Sequence, residues 1–340
     1  MRNEFGTVNR RNLLTMGGGA ALLAAGVGRA SAQGLESASL RLKWLPQTQF
    51  AGYFVAQTKG YYKDEGIQLT INPGGPNIVA ENMVASASDT FGHGGGYESL
   101  ISSREKNLPL VGISVLFQKT PFTFVARAGK GIETINDFRG KKISAFFTGS
   151  QFILYGMLAQ AGIGLDEVTV VPHTNMTGFV RGDIDVACVT YYNELLALYR
   201  DGIKDLVYFD PTDVGIVVPR EIIVAREDTI QSNPKLVQGF LNASLRGWKD
   251  ALTDRKGAVD AVIAANPTLD PVHQTEMLDQ VANLMLFGPG AKSIGFMDQA
   301  ALEYTQKFML DNKVIASAVD LNKAVDRTFY DKVPAEYLTL

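Results

Sequence analysis

LKWLPQTQFAGYFVAQTKGYYKDEGIQLTI, Leu42–Ile71, decides the fold. Leu42 and Trp44 open an extended segment, and Pro46, which cannot donate to a ladder, ends it. Past Gly52, Phe54, Val55, Thr58, Tyr61 and Tyr62 recur near the 3.6-residue period of a half-buried helix. Gly66 stands where a helix stops, and Ile67, Leu69 and Ile71 then alternate as in a strand. A strand–helix–strand unit of this kind is expected to be parallel and right-handed. Its corner gathers Trp44, Gln47, Gln49, Phe50 and Tyr53 at the carboxyl end of a strand, where open α/β sheets take ligands. Any one of these aromatics is equally well explained as core. Three aromatics and two amides at one corner point to a site for a flat, polar ligand.

The rest of the chain repeats this order. The first pass continues with a helix over about 77–87, a buried turn at Asp89–Gly92, a helix from near Gly96, the strand Leu110–Phe117 and an extended return at Phe122–Ala126. The second pass begins at Lys142–Phe147 and enters a helix after Gly149-Ser150. It goes on through Val168–Val171, Asp183–Thr190, a helix at Leu195–Tyr199 and Leu206–Phe209 to a return at Glu221–Ala225. Two such passes imply two α/β lobes joined by a two-stranded hinge, with crossings near Val125 and Val224. The first lobe would span 33–125 plus 226–340 and the second 126–225. A single doubly wound domain is the alternative. After Arg226 helical spacing dominates, beginning with Val237, Phe240, Leu241, Leu245 and Trp248 behind Asn233-Pro234. Those helices would pack back onto the first lobe.

The polar and aromatic residues at strand ends are the candidate ligand contacts. They are the Trp44 corner, His93 and Tyr97 around a glycine run, Phe117, then Thr148, Gly149 and Ser150, and finally Tyr191, Asn193 and Glu194. Glycines before a helix leave bare amides for an anion or carbonyl oxygen. The glycine run is not a phosphate loop, because no Gly-Lys-Ser or Gly-Lys-Thr follows, and it is equally well a tight turn. Glu194 could equally serve only the dipole of the helix it begins. Three histidines far apart form no close-spaced metal motif, and the single Cys188 sits in a buried-strand pattern that makes it core rather than nucleophile. No metal or cofactor is expected.

The run W-x-P-Q-x-Q-F-A-G-Y-F-V-A-Q-x-K-G-Y-Y-K-D-E-G-I from Trp44 resembles the opening signature of periplasmic ABC-transporter binding proteins for the thiamine-pyrimidine precursor. Sulfonate- and riboflavin-binding proteins and the fungal thiamine-pyrimidine synthases belong to the same superfamily. The resemblance implies a type II periplasmic binding protein fold and a solute-binding role, without catalysis, beside an ABC permease. It also implies that Asn193 and Glu194 accept hydrogen bonds from a ligand amino group, with Glu221 in GIVVPRE as a further contact. A thiamine-pyrimidine precursor is the first ligand expected, riboflavin the next and a sulfonate the third. Many pyrimidine-binding members carry His where this chain has Phe50, and the fungal synthases depend on a cysteine-rich segment that a chain with one Cys lacks.

The first 32 residues are expected to be an export signal. Arg2, Arg10 and Arg11 precede the apolar run Leu13–Val27, and Ala30-Ser31-Ala32 offers a cleavage site. Arg10-Arg11 resembles a twin-arginine signal. The run is shorter than the ~20 residues of a membrane span, so no stable anchor is expected, and the mature protein is placed in the periplasm as a monomer. Subtracting the leader's net +3 from the chain's −3 leaves −6 over 308 residues, which disfavours nucleic acid as a partner.

Overall fold

The computed structural model describes residues 34–147 and 149–340. The expected export signal and the expected contact Thr148 lie outside the described residues.

Ten strands form two five-stranded sheets. β1 (Glu36–Arg41), β2 (Ile67–Asn72), β3 (Phe91–His93), β4 (Leu110–Phe117) and β10 (Arg220–Arg226) make the first, in the order β2-β1-β3-β10-β4. β5 (Phe122–Arg127), β6 (Lys142–Ala145), β7 (Thr169–Pro172), β8 (Val186–Thr190) and β9 (Leu206–Phe209) make the second, in the order β7-β6-β8-β5-β9. The two orders are the same, with one strand in each sheet donated across the molecule. β10 runs antiparallel to β3 and β4, and β5 antiparallel to β8 and β9. The opening unit is parallel as expected, with Leu40 facing Ile71 in register.

Three local details differ from the sequence reading. The first strand lies upstream, at Glu36–Arg41, and Leu42–Gln47 is a bent connection. The opening helix is Ala51–Thr58 and breaks at Gly60, whose φ of +79° suits glycine, before a short turn at Tyr61–Asp64. The chain passes between sheets through 118–121 and 210–219, because β5 and β10 are whole strands of the second and first sheets. The expected crossings near Val125 and Val224 fall inside those strands, so β10 is to be grouped with the first lobe.

The C-terminal helices cover the first sheet. Pro234–Thr253 crosses Ala51–Thr58 so closely that a Cβ on Gly52 would lie 2.3 Å from Trp248, and one on Gly247 would lie 2.2 Å from the Gly52 carbonyl. Pro at the first turn and the Asn233 side chain, accepting from the Leu236 amide, start this helix. Further on, Gln274 in Pro271–Met285 accepts from the Thr48 amide at 2.7 Å and so fastens the corner itself. No helix among the described residues is long and apolar enough to cross a membrane.

Candidate functional site

Beyond the carboxyl ends of β1, β6 and β8, and the facing starts of β5 and β10, the two lobes meet around a cavity of about 30 Å³. Lys43, Trp44, Gln47 and Gln49 line it from the first lobe, and Phe122, Phe146, Thr190, Tyr192, Asn193 and Glu194 from the second. A wider groove of about 700 Å³ opens beside Val111 at the start of β4, away from these strand ends.

Aromatic rings close the cavity. Trp44 meets Phe146 edge-on across the lobes at 6.1 Å between centroids, and Phe146 stacks on Phe122 at 5.7 Å. Tyr192 stands edge-on to Phe117 at 5.9 Å, again across the lobes. As drawn together here the walls leave room for about two waters. A heterocyclic ring enters only if the lobes part.

The acceptor wall belongs to the second lobe. Glu194 begins a helix, Glu194–Arg200, and folds back to accept from the Thr190 amide at 3.0 Å, the Thr190 hydroxyl at 2.5 Å and the Asn193 amide nitrogen at 2.7 Å. A carboxylate has about four lone-pair sites, so it retains capacity for a further donor. Asn193 Oδ1 lies 2.8 Å from His273 Nε2. Because Arg200 can only donate to His273 Nδ1, Nε2 carries the proton that Asn193 accepts.

Behind the first-lobe wall is a buried charged network. Glu221 accepts from Lys43, from His93 Nε2 and from Gln49 Nε2 at 3.0 Å, and Gln47 donates to Gln49 at 2.7 Å. Tyr53 sits 2.8 Å from His93 Nδ1. Burial pushes the Glu221 carboxyl up, but the Lys43 ammonium and His93 overcome this and hold it at about 2. Burial lowers both His93 and Lys43 against the pull of Glu221. An anionic Glu221, a cationic Lys43 and a neutral His93 leave no net charge in this trio, with His93 donating from Nε2 and accepting from Tyr53. Glu221 reaches this position with a φ of +60°, a left-handed conformation that costs a glutamate about 1 kcal/mol or more.

The expected contacts therefore divide. Trp44, Gln47, Gln49, Asn193 and Glu194 come together on the cavity. His93 and Glu221 lie one layer behind it, and Phe117 lies behind Tyr192. Phe50 and Tyr53 are core: Phe50 packs edge-on to His93, and Tyr53 packs against Trp248 under the C-terminal helix. Tyr97 is buried away from the cavity, within the field of Asp298 and Arg327. Tyr191 turns outward to donate to Asp210, and its neighbour Tyr192 takes the inward place. The glycine amides are not bare. Gly95 donates to Glu81 and Gly96 to Ser99, both at 2.8 Å, and Gly149 donates to Gln151 at 2.9 Å. Ser150 Oγ accepts from the Phe146 amide at 2.7 Å, which braces the Phe146 turn. Lys43, Phe122, Phe146, Thr190 and Tyr192 were not singled out as contacts. A strand-end position marks each of them, but only pairing across the lobes selects them. Among the described residues no group of three or more His, Cys, Asp or Glu could hold a metal.

Two lobes of equal strand order, meeting at their strand ends over an aromatic, hydrogen-bonding cleft, define a two-lobe solute-binding protein of the periplasmic binding protein fold. A model of the family described as "NMT1/THI5 like" matches residues 47–258, and the chain belongs to that family. Riboflavin-binding protein RibY of Chloroflexus aurantiacus is 28% identical over 305 residues, covering 87% of this chain and 86% of the relative. The 4-amino-5-hydroxymethyl-2-methylpyrimidine phosphate synthase of Legionella pneumophila is 26% identical over 250 residues, covering 69% of this chain and 76% of the relative. Among solved structures, the periplasmic aliphatic sulphonate binding protein SsuA from Escherichia coli has a TM-score of 0.66 at 15% identity, covering 86% of this chain and 92% of that one. That likeness is one of fold.

Proposed function

We propose that this chain is the periplasmic solute-binding component of an ABC importer and captures a flat nitrogen heterocycle noncovalently. The observation that carries the reading is the cleft itself, with Trp44, Phe122, Phe146 and Tyr192 around one cavity and the Glu194 carboxylate, braced by Asn193, on its second-lobe wall. A ring that inserts as the lobes part gains aromatic contact on both sides. An N–H group on it finds Glu194 as acceptor. A thiamine-pyrimidine precursor meets these demands with its exocyclic amine. Riboflavin is the second reading, favoured by the near full-length likeness to a riboflavin-binding protein. The ligand would pass to a membrane permease, and the protein would act as a monomer after export.

Calorimetric titration with 4-amino-5-hydroxymethyl-2-methylpyrimidine, riboflavin and a small alkanesulfonate tests this reading. Binding of one of the two heterocycles, with the sulfonate weaker, is expected. Tighter sulfonate binding with neither heterocycle bound overturns it. Incubation with iron and a pyridoxal cofactor separates it from a synthase, because appearance of a pyrimidine product would make the chain an enzyme.

A further inference from the structure

We infer that Lys43 is a specificity-determining residue, which holds a hydrogen-bond acceptor of the ligand against the first lobe while Glu194 takes an N–H from the second. The inference rests on the heterocycle reading and deepens it by naming the polarity of the ligand.

Lys43 lies in the bent connection after β1 and is 8% exposed, yet it lines the cavity. An ammonium has three N–H donors. One goes to Glu221, and among the described residues no side chain or carbonyl accepts either of the other two. A buried ammonium with unused donors on a cavity wall favours a carbonyl or ring-nitrogen acceptor there. It cannot retreat to solvent, because Glu221 is itself fixed by His93 and Gln49. Across the cavity Glu194 presents its carboxylate, braced by the Asn193 amide that donates to it. The cleft is thus polarised, with a donor on the first lobe and acceptors on the second. A ligand with an acceptor on one edge and an N–H on another bridges the two lobes and favours their closure. A uniformly anionic group satisfies Lys43 but repels Glu194. An arylamine without ring nitrogen satisfies Glu194 and leaves Lys43 unpaired.

The test titrates wild type, Lys43→Met and the charge-balanced Lys43→Met/Glu221→Gln protein with three probes. These are riboflavin, 4-amino-5-hydroxymethyl-2-methylpyrimidine and 2-methylaniline, which keeps the amine but has neither a ring nitrogen nor a hydroxyl to accept from Lys43. The double variant guards against a fold lost to an unpaired buried Glu221. Both variants are expected to lose about tenfold or more in affinity for whichever heterocycle wild type binds, the scale of a hydrogen bond to a charged group. Their affinity for 2-methylaniline is expected to stay within about threefold of wild type, since that contact does not use Lys43. Heterocycle affinity within about threefold of wild type in the double variant overturns the role of Lys43, as does an equal loss for 2-methylaniline, which would make Lys43 purely structural. Wild type that binds neither heterocycle overturns the heterocycle reading and the Lys43 assignment with it.

Discussion

The turn after β3 and the turn after β8 hold the same place in two sheets of the same order, and each begins a helix, Tyr97–Glu105 and Glu194–Arg200. Their fates differ. The first-lobe turn is sealed: His93 is fully buried, its glycine amides bond Glu81 and Ser99, and Tyr97 lies in the core. The second-lobe turn stays half-buried and puts Tyr192, Asn193 and Glu194 on the cavity. Cover makes the difference. The helices Pro234–Thr253, Arg255–Ala265 and Pro271–Met285 pack on the first lobe and bury Tyr53 beneath Trp248, with Phe50 and Tyr53 both edge-on to His93, whereas His273 only touches the edge of the second-lobe turn. A strand end nominates a ligand site, and the later chain decides which residues still reach it.

The sharpest way to break this contrast is to truncate one residue on each side of the cover. Phe50→Ala or Tyr53→Ala is expected to cost about 3–5 kcal/mol of stability, as for a large aromatic removed from a close-packed core. Denaturant unfolding reads it, and a loss below about 1 kcal/mol would return these rings to the cavity.

Acid probes the sealed network. Glu221 is held at about 2 in the folded protein, below the roughly 4.3 of an unfolded glutamate. Its stabilisation is therefore complete above the unfolded value and is lost as pH falls towards 2. His93 is also lowered, so the unfolded chain protonates there first and stability begins to fall below about 6.5. Between pH 7 and pH 3 the unfolding free energy is expected to fall by on the order of 1–2 kcal/mol from Glu221 alone, and by less in Lys43→Met/Glu221→Gln. Equal slopes in the two proteins would remove the network from the account.

On the open side the expected effects are on binding. Glu194→Gln is expected to weaken an amine-bearing heterocycle by about 1.5–3 kcal/mol and to leave sulfonate binding unchanged or better. Its partners Thr190 and Asn193 are local, so melting should change little. Trp44→Ala, half-buried against Phe146, should cost about 1–3 kcal/mol in ligand affinity. A large loss of melting temperature with normal binding would instead make Trp44 part of the core. In small-angle scattering, the radius of gyration should fall when ligand saturates an open form, since the closed cavity admits no ring.

Much of the fold was legible because its signals are local. Alternation, glycine stops and a proline at a helix start located the strands Leu110–Phe117 and Leu206–Phe209 to the residue and the helix behind Asn233. The crossings were displaced because β5 and β10 look extended whichever sheet they join, and only pairing assigns them. The candidate site was legible as strand ends but not residue by residue. Tyr191 and Tyr192 are adjacent and differ only in phase, so one bonds Asp210 and the other faces the cavity. Lys43 carries no signal of its own, since a lysine near a strand end reads as solvated until Glu221, 178 residues on, is seen to hold it.

The central claim is that the two lobes hold a flat nitrogen heterocycle between Trp44 and Glu194. Native mass spectrometry of the protein purified from its own host, without added ligand, tests it most directly. The account predicts a bound mass that tandem spectra assign to a pyrimidine or a flavin, released when Trp44 or Glu194 is changed. A bound alkanesulfonate, or a heterocycle retained undiminished by both variants, would contradict it.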